Sequence, residues 1–256
     1  MKFIIPLLFF LVSSFCFGQN SGTIYYKKTI NDGESPIHDV NYKIVFSNQK
    51  SLELSIKKTG LKSDDQFVKE SDNVFKKQMV VSNTGNQIPF LFKNYETNQL
   101  LYTDNISIRY YYLTDTLENF KWSITKEKEK ILNYNCTKAI TTFRGRSYLA
   151  WFTEEIPIRF GPWKFGGLPG LIIKLEDEEK KYVYELTGLD LTPLSVDNEA
   201  KIPEQYLTQT PQPYNVFREI LANKISDLQK QSNVVTINGN STSRSSHKLP
   251  QKMEKY

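Results

Sequence analysis

Residues 151–177 read WFTEEIPIRFGPWKFGGLPGLIIKLED, and the fold turns on this stretch. It holds two of the three tryptophans, two prolines set beside glycines, and a closing apolar run from Leu171. Gly166-Gly167-Leu168-Pro169-Gly170 is not a phosphate loop. An apolar β-like segment follows it rather than a helix N-terminus, and the terminal Lys-Ser/Thr is missing. The local chemistry is that of turns. Leu168-Pro169-Gly170-Leu171 puts proline second and glycine third, the pattern of a type II turn. Gly161-Pro162 marks another turn, and Gly166 and Gly167 permit positive φ or a close backbone approach. The stretch therefore reads as a tight corner feeding a buried strand that begins at Leu171 and Ile172.

Strands surround the corner. Residues 138–143 and 147–152 form a pair about Arg144-Gly145-Arg146, and 171–175 and 182–191 form a hairpin closed by Asp177-Glu178-Glu179-Lys180. Toward the N-terminus, 23–30 is a strand, and Val40, Tyr42, Ile44 and Phe46 alternate on one face of the next. Leu52, Leu54 and Ile56 do the same after a hairpin at Ser47-Asn48-Gln49-Lys50. Residues 59–72 are polar without a clean period and read as a loop. Strands resume at 78–81, 88–92, 100–102 and 106–113, with a turn at Asn83-Thr84-Gly85-Asn86. Residues 119–124 follow, and then a charged segment before Leu132.

One helix is expected, over 214–230. Val216, Phe217, Ile220, Leu221, Ile225 and Leu228 share a face, and Pro211 and Pro213 suit the helix entry. Its polar side is not strongly basic, so packing on the sheet is preferred to a membrane surface. The fold class is mainly β (a β-rich α+β domain): an antiparallel meander of about eleven strands curved into a half-barrel, with one C-terminal amphipathic helix.

The N-terminus is set apart first. Met1-Lys2 gives a positive start, residues 3–12 are nearly all apolar, and Cys16 and Gly18 sit where a signal peptidase reads small residues. Residues 1–18 are thus expected to be a secretory signal peptide, 19–231 a single domain, and 232–256 a polar, disordered tail. Phe15 directly before Cys16 argues against a lipoprotein. After residue 17 no apolar run approaches the length of a membrane helix. The formal charge of +5 falls to +4 without Lys2, and the basic residues alternate with acids, so no nucleic-acid footprint is present. With 15 Tyr, 16 Phe and 3 Trp the chain has rings enough for a core. Cys136 is the single cysteine after the signal peptide, so no intrachain disulfide forms and packing must suffice.

Chemistry-bearing patterns are few. The two histidines, His38 and His247, and one cysteine make no ligand set, and the expectation is no metal and no cofactor. Cys136 is read as a small buried apolar filler. Glu154 and Glu155 are adjacent and would point to opposite faces of a strand, so a two-carboxylate device would need a distant acid such as Asp177. Trp151, Phe160, Trp163 and Phe165 could line an apolar pocket beside the corner, with Arg144, Arg146 and Arg159 as a rim for an anionic group. The alternative makes the aromatics core and pairs the arginines with Glu154 and Glu155.

Gly167-Leu168-Pro169-Gly170-Leu171-Ile172 spells the hexapeptide of the GLPGLI family, and the chain resembles that family over residues 120–190. Supporting stretches are Tyr134-Asn135-Cys136-Thr137-Lys138-Ala139, Phe143-Arg144-Gly145-Arg146, Ala150-Trp151-Phe152-Thr153, Ile156-Pro157-Ile158 and Gly161-Pro162-Trp163-Lys164-Phe165. The resemblance implies an exported envelope protein of Bacteroidetes-type bacteria, without agreed catalytic residues. The strand order is also similar to the LolA-like half-barrel, a sheet wrapped over helices. Two functions are carried forward. One is a non-catalytic envelope protein holding an apolar or amphipathic ligand, or a partner protein, on the curved sheet. The other is a carboxylate-based hydrolase using Glu154 or Glu155 with Asp177. A purely structural envelope domain is the third, blander option.

Overall fold

A computed structural model describes residues 21–31, 33, 36–56, 87–195, 200–231, 236–237, 240–241 and 252–254. Residues 1–18, expected to be a signal peptide, and the features read at 59–72, 78–81 and 83–86 lie outside the described residues. Eleven strands form one antiparallel sheet: β1 (Ser21–Ile30), β2 (His38–Ser47), β3 (Lys50–Ile56), β4 (Phe90–Asn94), β5 (Gln99–Ile106) and β6 (Arg109–Thr116), then β7 (Ser123–Ile131), β8 (Tyr134–Phe143), β9 (Arg146–Thr153), β10 (Leu171–Asp177) and β11 (Tyr182–Asp190). The two-residue β12 (Gln212–Pro213) adds in parallel to β6, which makes the sheet mixed. Helix α1 (Tyr214–Gln231) follows.

The spatial order is β12-β6-β5-β4-β3-β2-β1-β11-β10-β9-β8-β7. Two meanders, β1–β6 and β7–β11, meet where β1 pairs with β11. The chain therefore passes from one edge, β6, to the opposite edge, β7, through residues 117–122 alone. A flat sheet would hold those edges about 48 Å apart at ~4.8 Å per strand. Six linking residues reach about 25 Å at most. The sheet must curl until its edges approach, and it does so without closing into a barrel.

Curling sorts the side chains. Ile24, Tyr26 and Lys28 of β1 face inward beside Tyr42, Ile44 and Phe46 of β2, and Tyr184 and Leu186 of β11 continue the row. The residue 156–170 corner packs on this concave face: Phe160, Phe165, Leu168 and Leu171 join the main core. Helix α1 covers the other half, with Phe217 and Leu221 buried on Leu91, Tyr102 and Leu113. Val216 stays exposed. On the convex side Leu52, Leu54, Phe90 and Phe92 form a third core, capped by Ala200 and Tyr206.

Three local expectations are corrected. The charged segment before Leu132 is itself the strand β7, an edge strand whose Lys/Glu faces are exposed, as edges that must not pair require. The type II turn at residues 168–171 is not formed, because positive φ falls on Gly167 and not on Gly170. Finally, the polar tail is not without packed structure throughout. Met253 and Glu254 are buried, Met253 in the main core and Glu254 on the cations Arg144 and Lys164.

Candidate functional site

The corner is held by side chains of the sheet and of the 117–122 passage. From β4, Lys93 donates to the carbonyls of Gly161 (2.8 Å) and Phe165 (2.6 Å). From β3, Glu53 accepts the Trp163 N–H at 2.6 Å. Tyr26 donates to the Ile172 carbonyl at 2.6 Å, and Trp122 Nε1 to the Gly166 carbonyl at 3.0 Å. Trp163 itself sits at φ 50°, uncommon for a bulky residue and sustained here by the Glu53 bond. Burial pushes the Glu53 carboxyl above its ordinary value and the Lys93 ammonium below its own, each held back by the other's charge.

A cavity of about 590 Å³ lies between the corner, α1 and the inner face of β1–β5 and β11. Its walls are Tyr and Trp rings with charged groups between them, not a purely apolar surface. Tyr42, Tyr102, Tyr182, Tyr184 and Trp163 contribute the rings. Lys28 projects into it with its ammonium 5.1 Å from the Tyr182 ring centroid and 5.3 Å from that of Tyr184. Among the described residues Lys28 has neither ion pair nor hydrogen bond. Burial lowers its amine to about 8, opposed by the charges of Glu53 and Asp104.

Every other cation reaching this face from the described residues is engaged. Arg146, 3 % exposed, donates Nη1 to Asp177 (2.7 Å) and Nε to the Met253 carbonyl (3.1 Å). Arg144 binds Glu254 through Nη1 (2.9 and 3.0 Å) and Asp115 through Nη2, and stacks 3.8 Å over the Tyr214 ring. Lys164 donates to Glu254 at 2.6 Å and to the Tyr102 hydroxyl at 3.1 Å. Lys252 bridges Asp104 and the Asn105 carbonyl.

The sequence candidates separate accordingly. Trp163, Arg144 and Arg146 reach the concave face, but the anionic group that the arginines hold belongs to the chain itself. Phe165 is fully buried among Phe120, Phe143 and Tyr148, and Phe160 packs on Phe46 and Tyr95. Trp151 pairs across to Lys138 and Lys174, on the face opposite Tyr148 and Ala150. Arg159 stacks on Tyr95 at a smaller cleft of about 230 Å³ beside Gly166 and Gly167. His38 opens β2 at the cavity rim. Cys136 is buried within β8, and burial raises its thiol.

The carboxylate device is overturned. Glu154 and Glu155 lie exposed in the turn after β9, where Glu155 accepts from Asn135 at 2.8 and 3.0 Å. Asp177 is fully buried on Arg146 and the Tyr182 N–H. The β9–β10 register sets Thr153 opposite Leu171 and Tyr148 opposite Asp177, so the acids occupy opposite ends of β10, about 20 Å apart at ~3.3 Å per residue. The arginines accordingly bond to Asp115, Asp177 and Glu254 and not to Glu154 or Glu155.

The family described as "N-glycanase peptide, N-terminal domain" matches residues 24–212, from within β1 through β11 to the start of β12, and stops short of α1. The chain belongs to this family. Among solved structures, PNGF-II in two crystal forms is similar at 16 % identity. Those forms cover 80 % of this chain and 34 % and 33 % of their own, with TM-scores of 0.49 and 0.48. The LolA superfamily protein NE2245 from Nitrosomonas europaea is similar at 10 % identity over 75 % of this chain and 92 % of its own, with a TM-score of 0.30. The chain spans about a third of the PNGF-II chains. No curated protein matches. Among the described residues no helix is long and apolar enough to cross a membrane.

Sequence reasoning passed over Lys28, Glu53, Lys93 and Lys164. A signal was present for the first two. Lys28 falls in phase with Ile24, Tyr26 and Ile30, a charge on an otherwise apolar face. Glu53 sits on the face of β3 opposite Leu52 and Leu54, which the apolar count ignored. Glu254 carried no local signal, because its partners come from the β8–β9 turn, the corner and α1.

Proposed function

We propose that this chain is an exported, non-catalytic cell-envelope protein whose concave face takes an amphipathic ligand with one anionic group set on Lys28. The carrying observation is Lys28 itself, an ammonium facing a cavity of about 590 Å³ among Tyr182, Tyr184 and Trp163 while the neighbouring cations are bonded. The size suits a small-molecule site, and the rings suit the apolar part of such a ligand. The charged walls favour an amphipathic molecule over a wholly apolar one. The N-terminal apolar run and the GLPGLI spelling at 167–172 support export and envelope placement. The acids on the concave face are each bonded to a cation or an N–H, which supports binding over acid–base chemistry.

The test is calorimetric titration of the mature protein with dodecyl phosphate and with the uncharged dodecyl maltoside. The phosphate is expected to bind at least tenfold more tightly, as a charge-assisted bond of about 1.5–3 kcal/mol implies. Lys28→Met should erase the difference. Equal binding of the two probes, unchanged in the variant, or binding of neither, sinks the proposal.

A further inference from the structure

Residues 252–254 are read like a ligand. They belong to no strand. They are held instead by side chains that converge on them: the Glu254 carboxylate by Arg144, Lys164 and Tyr214, and the Met253 carbonyl by Arg146 Nε and the Tyr148 hydroxyl. The Met253 side chain is buried and its sulfur lies 3.7 Å from the Tyr184 hydroxyl.

The charges left behind define the site. Arg146 keeps Asp177, a balanced pair. Arg144 and Lys164 keep only Asp115, which lies against Arg144 and 3.9 Å from Lys164. Two largely buried cations would then share one carboxylate, and removing a partner from such a group is costly. The vacancy calls for one further carboxylate. One residue before it, a guanidinium N–H and a phenol wait for a peptide carbonyl.

We propose that Arg144, Lys164 and Tyr214, with Arg146 and Tyr148, form a recognition site for an acidic peptide of the form Met-Glu, filled in this structure by the chain's own residues 253 and 254. The shared chemistry admits two sources, this chain's tail or the tail of a second copy. It stands on the tail's contacts and not on what the Lys28 cavity binds.

The test uses the full-length chain. A fluorescent peptide Lys-Met-Glu-Lys-Tyr, copying residues 252–256, is titrated by anisotropy against wild type and Glu254→Ala. The variant should bind it at least tenfold more tightly than wild type, and a Lys-Met-Gln-Lys-Tyr peptide should lose at least tenfold. Equal binding by the two proteins, or of the two peptides, overturns the proposal. If circular dichroism shows that Glu254→Ala does not fold, a specific protease site is placed before residue 252 of the otherwise native chain. After cleavage the C-terminal fragment should co-elute and be displaced by the Glu peptide but not by the Gln peptide. A fragment that never exchanges, or leaves without uptake of labelled peptide, is equally fatal. Sizing separates the sources: a monomeric wild type places the tail in its own site, and a dimer split by the peptide places it in a second copy.

Discussion

Gly167 and Gly170 stand three residues apart in one corner and answer to different constraints. Gly167 has φ 81° and open space where a Cβ would lie. Gly170 has an ordinary φ, but a Cβ there would overlap the carbonyl oxygen of Thr153 on β9. The first replacement strains one dihedral and the second forces two strands apart. Gly167→Ala should cost about 1 kcal/mol. Gly170→Ala should cost about 3 kcal/mol or more, and urea melts of the two variants would reveal the order. Lys28 supports a second prediction at this scale. Its lowered amine is an ammonium below pH 8 and loses its charge above it. Affinity for an anionic amphiphile should therefore be flat below about pH 8 and fall by about tenfold per unit above it. The Lys28→Met profile should be flat throughout. A wild-type profile flat to pH 9.5 would remove Lys28 from the site.

Among the elements, the 252–254 segment is the one whose hold on the molecule depends most on ionisation. Burial alone would raise the Glu254 carboxyl, but Lys164 and Arg144 outweigh it and hold the group below its ordinary 4.5. The folded value lies below the unfolded one, so the stability Glu254 contributes is fully present above pH 4.5. It is lost as pH falls through the folded value. Acidification should release the segment and cost on the order of 2 kcal/mol, followed as protease cleavage near residue 252 or as a fall in Tm. Glu254→Gln should already be weakened at pH 7 and show a shallower acid slope. The elements also differ in how legible they were. The strands and α1 announced themselves by period, since alternation in β2 and the three–four spacing around Phe217 record which side meets a core. The β7 strand did not, because an exposed edge needs charge rather than alternation. The 252–254 segment did not either, because its partners are distant in sequence and nothing in Lys-Met-Glu marks it as buried.

At the scale of the whole molecule, two meanders share a single join. The β1 and β11 strands each have partners on both sides and lie at the middle of the sheet, whereas β7 has one partner and exposed faces. Amide exchange should be slowest in β1, β10 and β11 and fastest in β7. Protection as high in β7 as in β1 would show that the curled sheet opens only as a unit. The meander and its half-barrel curvature were legible from strand count and turn signals. The concave site was not, because a site formed by curling unites side chains that share a face only after the sheet has bent. The six-residue passage from β6 to β7 carries a mechanical consequence. The gap it spans is a seam with no ladder across it, so the sheet behaves as a split ring. The Arg144–Asp115 ion pair reaches from the β8–β9 turn to β6, so side chains tie the two meanders where no ladder joins them. The short passage limits how far the two edges can part, so the opening of the ring is set by six residues of chain and the side-chain bonds beside them.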